Sequence, residues 1–263
     1  MKHNLLIMLN DPYFKLATLF LNSFIKNSDI SKVNKIIINN IGLSNINKNL
    51  LKQKYTNTDS KTNINIEFYE TNKKFGFSKM HSAEWLESLT YKTKSLLEII
   101  KKENNLPIIM IDTDMLVLKD FSHFINSDYD IQVCKREFES ARNDIQLSMK
   151  YIASFLIINK KNEKVVDFLK DWIAEIESMI KQKLKPAYET PSMCKMIEKY
   201  RNVLKIDELN EINISCDKKY VENETYIIHM KSVGKEEGAN GNFENRVNNV
   251  KNFSKKEILK YLD

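Results

Sequence analysis

Apolar residues along this chain recur with two different periods, and the alternation between them lays out an α/β protein. Leu5 to Leu9 is a continuous apolar run, and Asn10-Asp11-Pro12 closes it with turn residues and a proline suited to a first helical turn. From about Tyr13 to Lys26 the period changes, with Phe14, Ala17, Leu21, Phe24 and Ile25 on one helical face. Val33 to Ile38 reads as a second strand that exits through Asn39-Asn40-Ile41-Gly42. A polar helical connection surrounds Leu50-Leu51-Lys52, and Ile64 to Tyr69 alternates with period two as a third strand. The order β, α, β, α, β predicts a mostly parallel sheet with right-handed crossovers. A long helix over Ser82 to Lys102 carries Trp85, Leu86, Leu89, Leu96, Leu97 and Ile100 at helical spacing. Later strands are expected at Asp130 to Cys134, at Ile152 to Asn159 and at Thr225 to Ile228, which ends in His229. Between the last two, an amphipathic helix is expected from about Glu163 to Lys183.

The segment Pro107 to Asp120 carries the candidate chemistry. Ile108 to Ile111 reads as a fully buried strand, and Asp112 and Asp114 follow it with Thr113 between them. Carboxylates held against apolar structure without a partner lose roughly several kcal/mol of solvation. A divalent cation compensates both at once, and strand carboxyl ends are where open α/β sheets bind ligands. The alternative is a surface turn with two hydrated aspartates, against which the apolar flank Leu116-Val117-Leu118 argues.

Composition narrows the partners. The 263 residues suffice for one large α/β domain or two small ones. A net charge of +6, from 41 basic and 35 acidic residues, suits an anionic substrate or an anionic membrane face. The lysines are dispersed, with no basic-aromatic patch of the RNA-binding kind, so no nucleic acid is expected. Cys134, Cys194 and Cys216 are widely spaced, without a metal or redox pattern, and fit a reducing cytosol. No run approaches the roughly 18 apolar residues of a membrane span, so a cytoplasmic protein is expected, one that could work at the inner face of the membrane. Arg246 to Asp263 reads as a basic amphipathic tail that packs onto the domain, with docking onto anionic lipid as the alternative.

An apolar strand, Asp-x-Asp, a second apolar run and Lys119-Asp120-Phe121 together resemble the DxD region of GT-A-fold glycosyltransferases, in particular the family-8 type. The resemblance implies a Rossmann-like mixed central sheet flanked by helices, in one catalytic domain with two abutting halves. Residues 1–118 would bind the nucleotide and 119–245 the acceptor, with the helical tail over 246–263. It also implies a nucleotide-diphosphate sugar, with uridine as the expected base, moved to a glycan or lipid-linked acceptor with Mn²⁺ or Mg²⁺. By the same resemblance Asn10, Asp11 and Tyr13 line the base and ribose pocket, and Lys94, before Lys92, is the cation on the long helix that faces the donor. Thr113 and Ser154 join the donor site, although Ala153-Ser154-Phe155 departs from the family's Asn-Ser-Gly. Glu189 stands where the family places an acid near the transferred sugar. His229 and Lys235 keep the separation of the family's closing His and Lys, as third metal ligand and diphosphate partner, while the glycine between them has moved to Gly234.

Two other classes compete. Haloacid-dehalogenase-type phosphatases also place Asp-x-Asp after an apolar strand, but they need a threonine where Leu116 stands and they open with the motif. A non-catalytic nucleotide- or nucleic-acid-binding protein would keep the fold and lose the transfer.

Overall fold

The computed structural model describes residues 1–56, 64–76, 78, 82–103, 105–136, 149–182, 189–215, 220–230 and 253–262. Its centre is a seven-stranded sheet in the order β3-β2-β1-β4-β7-β6-β8. These strands are β1 (His3–Asn10), β2 (Val33–Gly42), β3 (Ile66–Glu70), β4 (Ile108–Ile111), β6 (Ile131–Lys135), β7 (Tyr151–Ile158) and β8 (Ile206–Asn210). β3, β2, β1 and β4 run parallel, β7 is antiparallel to both β4 and β6, and β8 is parallel to β6. The expected mixed sheet is present. β8, with Asp207 and Glu208 in its middle, has none of the apolar pattern that marks the other strands.

Side chains alternate across the central strands and so fill two cores. Leu5, Ile7 and Leu9 meet Phe20 and Phe24 of α1 (Phe14–Asn27) and Leu51 of α2 (Asn45–Tyr55). Leu6 and Ile37 face the other way, with Leu96 and Ile100 of α3 (Ala83–Lys102), Trp172 of α4 (Glu163–Lys181) and Ile197 of α5 (Glu189–Tyr200). The result is a helix–sheet–helix sandwich. Helix starts follow their caps: Ser44, Ser82 and Asn162 each accept a backbone N–H from the first turn of the helix they open.

Two features of the topology make the site. The chain lays down β1, β2 and β3 outward and then returns to put β4 on the other side of β1. The order therefore reverses between β1 and β4, which opens a crevice at their carboxyl ends. Directly after β4 the chain enters β5 (Met115–Val117), which belongs to a second sheet with β9 (Ile214–Ser215) and β10 (Ile227–His229) in the order β5-β10-β9. β10 runs antiparallel to β5 with His229 opposite Met115. A residue from near the end of the chain is thereby delivered beside the acidic pair.

The described part of the tail, with α6 at Lys255–Leu259, packs onto the domain. Ile258 and Tyr261 are buried against Leu16, Leu19, Leu116 and Ile228. Asn22 and Asn27 donate their side-chain N–H to the backbone oxygen and the hydroxyl of Tyr261, at 2.7 and 2.8 Å. No helix among the described residues is long and apolar enough to cross a membrane.

Candidate active site

Asp112, Asp114 and His229 converge at the carboxyl end of β4, each offering a ligand atom, with these atoms within 4.8 Å of one another. His229 Nε2 lies 3.1 Å from Asp114 Oδ1, and the Met230 N–H donates to the Asp114 carbonyl at 2.8 Å, which extends the β5–β10 pairing into the loop. On the other flank the Asp112 N–H donates to the Ser154 carbonyl at 3.0 Å, tying the loop to β7. Around an octahedral ion with bonds of about 2.1 Å, donor atoms lie roughly 3 Å apart when adjacent and roughly 4.2 Å when opposite. The 3.1 Å between His229 and Asp114 matches adjacent ligands, and the 4.8 Å bound on the group is slightly wider than the spacing of opposite ones. Two carboxylates and one imidazole suit Mn²⁺ and also accept Mg²⁺.

The cation that meets this group from α3 is Lys92. Its Nζ lies 2.5 Å from Asp112 Oδ1, 3.2 Å from Glu189 Oε1 and 3.3 Å from the Ala153 carbonyl, and its side chain is only 5% exposed. Lys94, the residue expected here, instead pairs with Glu177 of α4 at 2.6 Å on the outer surface. Two residues along an α-helix amount to about 200° of rotation, so the two lysines take opposite faces. The sequence held a clue: Leu89, Lys92, Leu96 and Ile99 form one stripe at helical spacing, and a lysine on an apolar stripe needs a buried partner.

Asp112 and Glu189 thus share one ammonium, while Asp114 faces His229. Burial pushes the Asp112 carboxyl up to about 6, with Lys92 opposing the rise and Asp114 and Glu189 adding to it. Burial also raises Glu189, again against the pull of Lys92. For Lys92, burial favours the neutral amine, but Asp112 and Glu189 outweigh it and hold the ammonium above the ordinary lysine range. Glu189 opens α5, fixed by the indole N–H of Trp172, which donates to its carbonyl at 3.0 Å. Glu189 Oε2 is buried without a hydrogen-bond partner among the described residues.

A cleft leads away from Asp112, Thr113 and Asp114 along the carboxyl edge of β1 and β2, past Asn10 and Tyr13, to Phe75, Ser78 and Trp85. Asn10 is 6% exposed; its Nδ2 donates to the carbonyls of Phe75 and Gly76 at 3.2 and 3.3 Å, and its Oδ1 is buried and unpartnered among the described residues. Gly42 makes this floor possible. At its φ of +148° a Cβ would sit 2.4 Å from the Phe75 carbonyl oxygen, so only glycine lets β2 pass the 75–76 segment so closely. Phe75, Gly76 and Ser78 carried no signal in the sequence, and Trp85 was read there only as an apolar residue of the long helix.

Asp11 lies outside the cleft lining: its Oδ1 accepts the Ser44 N–H and the Asn47 side-chain N–H, both at 2.8 Å, and so fastens the start of α2. Ser154 is buried, with its hydroxyl 3.3 Å from His229 Nδ1. Lys235 and Gly234 lie outside the described residues.

A reversed strand order with an Asp-x-Asp at the switch point, completed by a histidine from the far end of the chain, defines a protein of the GT-A glycosyltransferase fold. The chain belongs to the nucleotide-diphospho-sugar transferase family, whose model matches residues 50–238. No curated protein sequence matches the chain. Among solved structures it is similar to the galactosyltransferase LgtC, determined with donor and acceptor sugar analogs. The two are 11% identical with a TM-score of 0.60, over 98% of this chain and 95% of that one. It is also similar to the bifunctional glycosyltransferase WbbM, with 15% identity and a TM-score of 0.57, over 99% of this chain and 51% of that one. A third is the glycosyltransferase GlyE of Streptococcus pneumoniae TIGR4, at 12% identity and a TM-score of 0.59, over 99% of this chain and 62% of that one. The chain therefore spans about half of WbbM and under two thirds of GlyE.

Proposed function

We propose that this chain transfers a sugar from a nucleotide-diphosphate sugar, with uridine as the base, to a glycan or lipid-linked acceptor in the cytoplasm, with a divalent cation held by Asp112, Asp114 and His229. The observation that carries this reading is the meeting of those three residues beside a cleft that Asn10, Tyr13, Phe75 and Trp85 also line. The cation, Mn²⁺ before Mg²⁺, supplies Lewis-acid stabilisation of the charge that builds on the diphosphate as the glycosidic bond breaks. Asn10 and Tyr13 hold the nucleoside in the half formed by residues 1–118, with the Asn10 oxygen awaiting an N–H from the base. Thr113 borders the ribose and phosphates. Lys92 keeps Asp112 ionised and aligned, and Lys235 adds a positive charge at the diphosphate. Glu189 gives one oxygen to Lys92 and offers the other to a sugar hydroxyl, which makes it a group that positions the reacting sugar or acceptor.

The test is a thermal-shift panel of nucleoside diphosphates and their sugars with and without Mn²⁺. A ligand at 100 times its dissociation constant adds about 2.7 kcal/mol to stability, which for a chain this size raises the melting temperature by roughly 5–10 °C. The expected result is a rise with UDP that depends on metal, disappears in Asp114→Ala and shrinks in His229→Ala. Equal shifts with and without metal would remove the metal role. A phosphoenzyme trapped on Asp112 would establish the phosphatase instead.

A further inference from the structure

Ser154 is a residue of β7 that touches both flanks of the candidate cation group. Its carbonyl accepts the Asp112 N–H at 3.0 Å, and its hydroxyl lies 3.3 Å from His229 Nδ1. It is 4% exposed, and His229 is 5% exposed, so water does not compete freely for this contact. The other imidazole nitrogen, Nε2, faces Asp114 at 3.1 Å. An imidazole binds a cation through a bare lone pair, so the proton must reside on the opposite nitrogen, and whatever meets that proton fixes both tautomer and ring angle.

The geometry points to Ser154 as a positioning residue that accepts the Nδ1–H of His229 and leaves the Nε2 lone pair for the cation shared with Asp112 and Asp114. This rests on the metal reading above. A hydroxyl is suited to the task because it both donates and accepts. Without the cation, Nε2–H donates to Asp114 and the Ser154 hydroxyl turns to donate into Nδ1. With the cation, Nε2 gives its proton to solvent, Nδ1 takes one up, and the same hydroxyl turns to accept. An alanine supports neither arrangement.

The experiment titrates Mn²⁺ alone into the full chain, wild type, Ser154→Ala and Ser154→Thr. It also reads the His229 ring nitrogens of the wild type by ¹⁵N NMR with and without saturating Mg²⁺. Loss of the hydroxyl is expected to weaken Mn²⁺ binding by roughly 10- to 100-fold, the usual effect of removing a partner that orients a metal-binding histidine. Threonine should restore most of it, and the Mg²⁺-loaded wild type should carry its His229 proton on Nδ1. Unchanged affinity in Ser154→Ala, or a Mg²⁺-loaded His229 protonated on Nε2, overturns the assignment. If Ser154→Ala does not fold, the wild-type spectrum decides alone. A wild type that binds neither ion removes the metal reading and this inference with it, a result distinct from a wild type that binds and a variant that binds equally well.

Discussion

Two clusters of charge sit on opposite sides of β7, and they are built to opposite ends. On the side away from the cleft, Glu208 meets Lys135 at 2.6 Å, Arg201 at 3.0 Å and the hydroxyl of Tyr151. Burial works against its ionisation, but Lys135, Tyr151 and Arg201 outweigh it and hold the carboxyl down at about 2. At the cleft, Asp112 and Glu189 share Lys92 while Asp114 faces His229, and burial pushes Asp112 up to about 6. In the first cluster the partners outweigh burial and keep the acid ionised; in the second, burial outweighs Lys92 at both Asp112 and Glu189. Carboxylates whose ionisation burial opposes cost stability as they stand, and a bound cation would recover that cost. The difference separates an ion network that ties strands together from the one proposed here to hold a cation.

The largest effect should come from the cleft cluster. Asp114→Ala is expected to lower sugar transfer by at least about 10³-fold, the scale of several kcal/mol of lost charge stabilisation. An initial-rate assay that shows more than a tenth of wild-type activity would contradict it. Next come the two lysines of α3. Lys92→Ala leaves buried carboxylates without their cation and should cost about 3–5 kcal/mol in urea unfolding. Lys94→Ala breaks a surface pair whose partners are about half exposed and should cost about 1 kcal/mol or less. Equal costs would mean that the buried pair has no special standing.

The pH dependence of the two clusters should differ in sign. The folded-state carboxyl of Asp112, raised from 3.8 to about 6, makes the metal-free fold lose stability as pH rises through that window. Below about 6 a proton competes with the cation, so the increase in melting temperature on adding Mn²⁺ should grow as pH climbs from 5 to 7. Glu208 is lowered from 4.5 to about 2, so its contribution is complete above 4.5 and fades as pH falls toward 2. With partial exposure discounted, that loss should be about 1–2 kcal/mol, and Glu208→Gln should flatten it. An acid-unfolding profile unchanged by that substitution would show that the Glu208 network contributes nothing measurable.

The sequence made the architecture readable wherever the apolar period was strong. β1, α1, β4, β7 and α4 fall within a few residues of expectation, because Leu5 to Leu9 and Ile108 to Ile111 have no polar interruption and Ile152 to Ile158 has only Ser154. β8 was missed because its sides are polar, and β9 because two residues carry no period. In the site, the Asp-x-Asp was legible from its flanks, and His229 from its distance to Lys235. That His229 faces Asp114 follows only from the register of β10 on β5, which no local pattern encodes. Lys94 was favoured over Lys92 because a resemblance gives approximate position and not helical phase. Asp11 has the right residue type at the right turn, yet its carboxylate is occupied by the start of α2.

The most direct test of the proposed cation site is a count of bound Mn²⁺ by electron paramagnetic resonance of the free ion, at pH 7.5, as the chain is titrated in. The account predicts one site in the wild type, lost in Asp114→Ala and retained in Glu208→Gln. A wild type that leaves all the Mn²⁺ free, or an Asp114→Ala variant that binds as the wild type does, would contradict it.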